Sequence, residues 1–267
     1  MDLQETLGYA KPVLTVTGLV ILGLIETWRP IQRREWGRWG HAARNLAIAL
    51  LNGVVLGLVF ARSWEWASDW SGSHTWGLVN WLAWPWWVEA ALVVLLFDAW
   101  MYVWHVANHR IHLLWRFHRM HHSDGWMDAS SALRFHPGEI AISSGLRLAL
   151  IPIFGMALWH LALYEVMLLP VILFHHSNIR LPRRLDDVLR TVIVTPWMHW
   201  QHHSQVRAEA DSNYSSIFSL WDRMARSLRL RDSLDTLTIG LPHWDPGLWN
   251  TLRGMLLTPI RGPVHRP

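Results

Sequence analysis

Residues 86–122 read WWVEAALVVLLFDAWMYVWHVANHRIHLLWRFHRMHH and hold two patterns end to end. From Trp86 to Trp104 the only charged residues are Glu89 and Asp98, and the block is long enough for a helix to cross a hydrocarbon core of about 30 Å. Histidines follow at once. His105 and His109 are four apart, so on a helix they share a face one turn apart. His118 is followed at +3 and +4 by His121 and His122, and WMHWQHH (197–203) repeats that spacing with His199, His202 and His203. Each triplet presents three imidazoles on one side. Thr195 and Pro196 suit an N-cap and a first helical residue, which predicts that the last triplet occupies the opening turns of a helix.

Thirteen of the seventeen histidines fall between His105 and His203, little more than a third of the chain. Imidazole binds iron, zinc, copper and nickel, and rings on helices meeting at a membrane surface can hold two ions close together. A lone buried histidine is more simply a hydrogen-bonded core residue, the reading given to His41, His74, His160, His243 and His265. One HxxxH and two HxxHH in a chain of this size point to metal, and they are not low-complexity histidine runs. Helix geometry also puts His112 and Asp98 on the face of His105 and His109. A carboxylate inside a span is costly unless paired. Accepting the second ring N–H of a liganding histidine would pair Asp98 and fix the tautomer; a bridge to Arg110 or to the backbone is the plainer alternative. RFHPGE (134–139) places His136, and FHHSN (174–178) places His175, His176 and Asn178, where they could complete or support the shell.

Around these motifs the chain is 51% hydrophobic and 16% charged, where soluble domains run near 25% charged. Mean hydropathy is only +0.13 because apolar blocks alternate with arginine- and histidine-rich ones. The absence of cysteine excludes thiolate metal sites, iron–sulfur ligation and a cysteine nucleophile. No Walker, GxGxxG or nucleophile-elbow sequence is present. Three spans are predicted, at about 12–28, 45–61 and 86–104. The apolar stretch 140–174 is interrupted by Arg147, Pro152, His160, Glu165 and Pro170 and reads as a short hairpin dipping into the bilayer. Eight tryptophans between Trp64 and Trp87 suit a headgroup-level belt. Arginines 29, 33, 34, 38 and 44 put the first loop on the cytoplasmic side, and region 177–267 with it. The expectation is one all-α integral membrane domain over 1–267, with a cytoplasmic helical cap carrying the histidines. Its arginines are read as topology and attraction to an anionic leaflet rather than nucleic-acid binding, for which no motif is present.

HVANHRIHLLWRFHRMHHSD (105–124), ALRFHPGEI (132–140), FHHSNIRLP (174–182) and TPWMHWQHHS (195–204), followed by DSNY (211–214) and LWDR (220–223), resemble the sterol desaturase and fatty acid hydroxylase superfamily in order and spacing. The resemblance covers about Asp98 to Arg231. It implies a membrane-embedded non-haem di-iron enzyme that uses O2 as co-substrate and two external electrons to hydroxylate or desaturate a sterol, fatty acyl, carotenoid or ether-lipid substrate. It makes His105, His109, His118, His121, His122, His199, His202 and His203 iron ligands and adds His176 and His136. The chain departs from the superfamily's usual pattern at Val106, at His112 where proline is common, at Ser215, and at Ala225-Arg226-Ser227. With no flavin or nucleotide motif of its own, the chain needs an electron donor, such as a ferredoxin or small cytochrome with its reductase, at the arginine-rich face. A bacterial inner membrane with the active site inside is the expected location. The alternative is a membrane metal-binding or metal-transport protein. Transport calls for ionisable groups at the bilayer midplane of several spans, whereas these histidines gather at one face.

Overall fold

The computed structural model describes residues 3–33, 37–81 and 84–262; Arg34 and His265 lie outside the described residues. Helices carry the fold. The β pairing among the described residues is confined to two isolated bridges, Ile193 with Phe218 and Ser204 with Ile239. In chain order the helices are α1 (Leu3–Trp28), α2 (Arg38–Val55), α3 (Ala61–Ser73), α4 (Trp86–Arg110), α5 (His112–His122), α6 (Pro137–Phe154), α7 (Leu158–His176), α8 (Arg183–Leu189), α9 (Pro196–His202), α10 (Arg207–Ala210), α11 (Leu220–Met224), α12 (Pro246–Trp249) and α13 (Leu252–Arg261). A π turn, Leu56–Phe60, joins α2 to α3, so Arg38–Ser73 is one continuous segment.

Five segments are long and apolar enough to cross a membrane: α1, α2 with α3, α4, α6 and α7. The three spans expected from sequence are among them. The stretch 140–174, read from sequence as a hairpin, forms two helices joined by a short turn, α6 and α7, each long and apolar enough to cross a membrane. Leu78 and Val79 donate their backbone N–H groups to Ile153 and Phe154 at 3.2 and 3.0 Å, so the α6–α7 turn lies where α3 gives way to α4. The opposite end holds the end of α7 beside the end of α1: Asn178 Oδ1 accepts the N–H groups of Ile31 and Gln32, and Arg180 N donates to Arg29 O at 2.7 Å. The ionisable residues read as interruptions face partners on other helices. Glu165 on α7 takes Lys11 of α1 at 2.7 Å and Arg147 of α6 at 3.0 Å, and His160 Nε2 lies 3.2 Å from Glu89 of α4. Pairing removes much of the cost of charge in an apolar segment, so the helices need not stop there.

Packing follows the helical repeat. On α1, Gly18 meets Leu173 of α7 so closely that an added Cβ would lie 2.8 Å from Leu173 Cδ1, while Val13, Val16, Val20 and Leu24 on its other faces stay exposed, as lipid-facing residues would. Inside, Val93 and Phe97 of α4, Ile151 of α6, Tyr164 of α7 and Ile217 form a buried cluster, with the Phe97 and Tyr164 rings edge to face at 4.8 Å. At the far end Gly77 adopts φ +101°, and a Cβ there would lie 2.3 Å from Gly155 N and 2.4 Å from Pro152 O. Gly77→Ala is therefore expected to cost about 1–3 kcal/mol through overpacking, read as a lowered midpoint when the tryptophan fluorescence of micelle-bound protein is followed through denaturation. An unchanged midpoint would mean that this contact does not lock the far end.

Candidate metal centre

Nine of the ten histidines that the resemblance marks as ligands converge in two buried groups able to hold metal. His105, His109, His118, His122 and His202 form the first; His121, His176, His199 and His203 form the second. Within each group the candidate ligand atoms lie within 4.8 Å of one another. Helix α4 supplies His105 and His109, and the last turn of α7 supplies His176. The two triplets are shared crosswise. Helix α5 gives its one-turn pair, His118 and His122, to the first group and His121 to the second; α9 and the residue after it give the pair His199 and His203 to the second and His202 to the first. Successive residues on a helix point about 100° apart, so His121 and His122 diverge, as do His202 and His203. Helix α9 begins at Pro196 as the sequence predicts, although the Thr195 hydroxyl makes no cap bond.

Five of the nine rings are oriented by what their other nitrogens touch, whereas Nδ1 of His121, His199 and His203 is buried without a partner. In the first group Nδ1 of His105 donates to Tyr214 O at 2.8 Å, Nδ1 of His202 donates to Ser212 O at 2.6 Å, and Nδ1 of His118 lies 2.9 Å from Glu139 Oε1. His109 Nδ1 lies 3.6 Å from Asp211 Oδ1. A ring that donates through Nδ1 turns a bare Nε2 lone pair inward. The Nε2 atoms of His105, His118 and His202 are buried without a partner in the protein, and those of His109 and His122 are 3.0 Å apart. In the second group the Nε2 atoms run from His121 to His176 at 3.1 Å, to His199 at 2.9 Å and to His203 at 3.1 Å. Burial, reinforced by neighbouring imidazoles, holds His121, His122, His199 and His203 well below the usual histidine pKa. Burial brings His202 down to about 3 against the opposing pull of the Ser212 carbonyl. Neutral rings with converging lone pairs in a dry site are the donor chemistry of a nitrogen-ligated metal.

Other expectations are corrected. His136 stands outside both groups: it caps α6, its Nδ1 accepting the Gly138 N–H at 2.9 Å while Nε2 lies 3.1 Å from Leu256 O. His112 is exposed, because Ile111 is extended (φ −90°, ψ 116°) and breaks the helix that would have carried its face on from His109. His175 is buried with its ring 4.1 Å from that of His199 but joins neither group. Asp98 makes no bond to His105. Seven residues are about 10 Å along a helix, and its carboxylate instead accepts from Tyr164 OH, Ile217 N, Phe218 N and Trp221 Nε1. Asn178 braces the α1–α2 connection rather than a histidine. His41 is the hydrogen-bonded core residue expected, between Asp124 and Asp128; His160 is likewise buried, its Nδ1 accepting the Ala157 N–H at 3.0 Å, whereas His74 and His243 are exposed.

Sequence reasoning missed Glu139 and the 211–214 loop. Glu139 had a visible signal, an acid in the first turn after Pro137. The backbone carbonyls of Ser212 and Tyr214 had none.

The fatty acid hydroxylase profile matches residues 90–227, just over half of the chain, and spans both histidine groups. The chain belongs to the fatty acid hydroxylase family. This family member is 25% identical over 221 residues to the ornithine lipid hydroxylase of Rhizobium tropici, covering 79% of this chain and 65% of that one. It is 26% identical over 252 residues to human alkylglycerol monooxygenase (90% and 52%), and 29% identical over 168 residues to the Danio rerio alkylglycerol monooxygenase (60% and 34%). The chain thus spans between a third and two thirds of the length of these relatives. No solved structure matches it.

Glu139→Ala leaves His118 without its acceptor and is expected to weaken metal binding about ten- to a hundredfold, measured by competition with a chelator. Protonation gives a second test. Unfolded histidines titrate near 6.5, and these folded ones lie lower, His202 at about 3. Above pH 6.5 both states are neutral. As pH falls through that value toward 3, the unfolded chain takes up protons that the folded chain refuses. Metal-stripped protein should therefore lose stability progressively below pH 6.5, seen as a falling unfolding midpoint; a flat profile would contradict the buried neutral rings.

Proposed function

We propose that this chain is an O2-dependent lipid hydroxylase with two iron ions, one in each histidine group. The observation that supports the reading is the pair of buried all-imidazole groups, set at one end of a bundle of membrane-length helices in a member of the fatty acid hydroxylase family. Bound iron would supply O2 activation: one oxygen atom enters a C–H bond to give an alcohol and the other leaves as water, with two electrons and two protons consumed. The protein's part is to hold the rings and keep the site dry. Tyr214 packs its ring 5.1–5.6 Å from His105, His109 and His202, Trp115 lies 5.2 Å from His109, and Phe135 stacks 4.5 Å from His121.

The substrate would come from the bilayer. A cavity of about 660 Å³ opens at the ends of α1 and α2, with Trp28, Arg33, Arg38, Trp39 and Trp126 among its walls. Cavities of about 300–1,000 Å³ suit small-molecule sites. Its wall also includes Trp200, which follows His199 on α9, so the cavity and the histidines share a helix. We assign it to the polar head of the lipid: tryptophan suits the headgroup layer, and guanidinium binds oxyanions. The arginine-rich first loop lies at the same end, which supports a cytoplasmic site in a bacterial inner membrane. Electrons would come from a small acidic redox protein at the exposed Arg183, Arg184 and Arg226.

The test is protein purified in detergent, loaded anaerobically with ferrous iron and supplied with reductant, lipid extract and heavy-isotope O2. Support is about two irons per chain and a lipid that gains one heavy oxygen atom, with Arg33→Gln raising KM several-fold at unchanged metal content. Tight metal binding without oxygen incorporation would move the metal-transport reading to the front.

A further inference from the structure

Three of the five rings in the first histidine group face one irregular loop. Tyr214 O and Ser212 O accept from His105 and His202, and Asp211 faces His109 at 3.6 Å. Regular structure does not fix that loop: residues 211–217 are neither helix nor strand, and Asn213 sits at φ 54°, in the left-handed region. Backbone bonds tie it at three points, Asp211 N to Arg207 O at 2.8 Å, Asn213 N to Ser227 O at 3.1 Å and Val194 N to Ile217 O at 3.0 Å, and buried side chains hold the rest. Asp222 accepts the N–H groups of Tyr214 at 2.8 Å and Ser215 at 2.9 Å and the Ser227 hydroxyl at 2.6 Å. Asn213 donates to Met198 O and Arg229 O and accepts from Arg229 N. Just downstream, Asp98 reaches out of α4 to accept from Ile217 N at 3.2 Å, Phe218 N at 3.1 Å and Trp221 Nε1 at 2.7 Å, with Tyr164 OH at 2.8 Å as a fourth donor. Asp98, Asn213 and Asp222 are all fully buried. The second group does not use this loop; there, His176 Nδ1 donates to Ile172 O within its own helix.

We infer that Asp98 and Asp222 are positioning residues that clamp segment 211–222 at two points and so set the metal affinity of the five-histidine group independently of the four-histidine group. A carboxylate with several donors fixes backbone more firmly than neutral bonds do, and the tautomer of each ring follows from the acceptor presented to it. Asp98 thereby acts on His105 and His202 without touching either. The inference rests on both groups holding metal, and it adds that the two positions are unequal and separately tunable.

The test is titration of metal-stripped, detergent-purified full-length protein with Co2+, followed by visible absorption and by bound metal per chain. The variants are Asp222→Asn, Asp98→Asn and Trp221→Phe, beside His121→Ala. Wild type should bind two equivalents. The clamp variants should weaken one equivalent about ten- to a hundredfold and shift the absorption of that equivalent alone; His121→Ala should affect the other. Trp221→Phe removes a single donor and keeps the inference testable if the carboxylate changes fail to fold. Equal weakening of both equivalents would mean that Asp98 and Asp222 support the fold in general, and wild-type affinities in Trp221→Phe together with Asp222→Asn would mean that the loop needs no clamp; either result overturns the inference. Wild type that binds no Co2+ overturns the di-metal reading as well, whereas wild type with two equivalents and unaffected variants overturns this inference alone.

Discussion

Nine imidazoles turned toward two small volumes, almost all out of reach of water, form the constraint that the rest of the molecule answers to. Converging lone pairs repel, and protonation is denied by burial, so the arrangement survives only if each ring is held from behind and a cation is able to draw the lone pairs together. The surroundings meet the first requirement chiefly for the five-histidine group and His176. Glu139 at the opening of α6, the carbonyls of the 211–214 loop and the last turn of α7 all serve as fixed acceptors, and aromatic rings fill the spaces between. Three of the long apolar helices, α4, α6 and α7, bring their contributions to the same end of the bundle.

Much of this was legible in the sequence. The HxxxH and HxxHH spacings named eight residues that do converge, and the apolar block at 86–104 located the helix that brings two of them in. What spacing could not report was the crosswise division, because it depends on how α5 and α9 face each other rather than on either alone. His112 shows the opposite limit: it shares the face of His105 and His109 only on a continuous helix, and the chain is extended at Ile111. His136 sat in a plausible motif and was claimed by a more local task, capping the helix that Pro137 begins.

The stretch 140–174 shows a related limit. Arg147, His160 and Glu165 shorten the apparent apolar length of α6 and α7 when each helix is viewed alone. In the fold Arg147 and Lys11 both pair with Glu165, and the buried His160 ring accepts the Ala157 N–H, so none of the three interrupts its helix. Asp98 also found partners, Tyr164 on α7 and three donors from a segment more than a hundred residues away. Local periodicity could suggest that a buried carboxylate needs a partner without saying which.

The crosswise sharing of the triplets bears on how such a centre could change over evolutionary time. Because α5 and α9 each feed both groups, deleting either motif strips ligands from both positions together. Losing a triplet as a block would therefore not empty one group and spare the other. Only changes confined to one group, such as the His105 and His109 pair on α4 or His176 on α7, could do that. The two groups are built from interlocking parts.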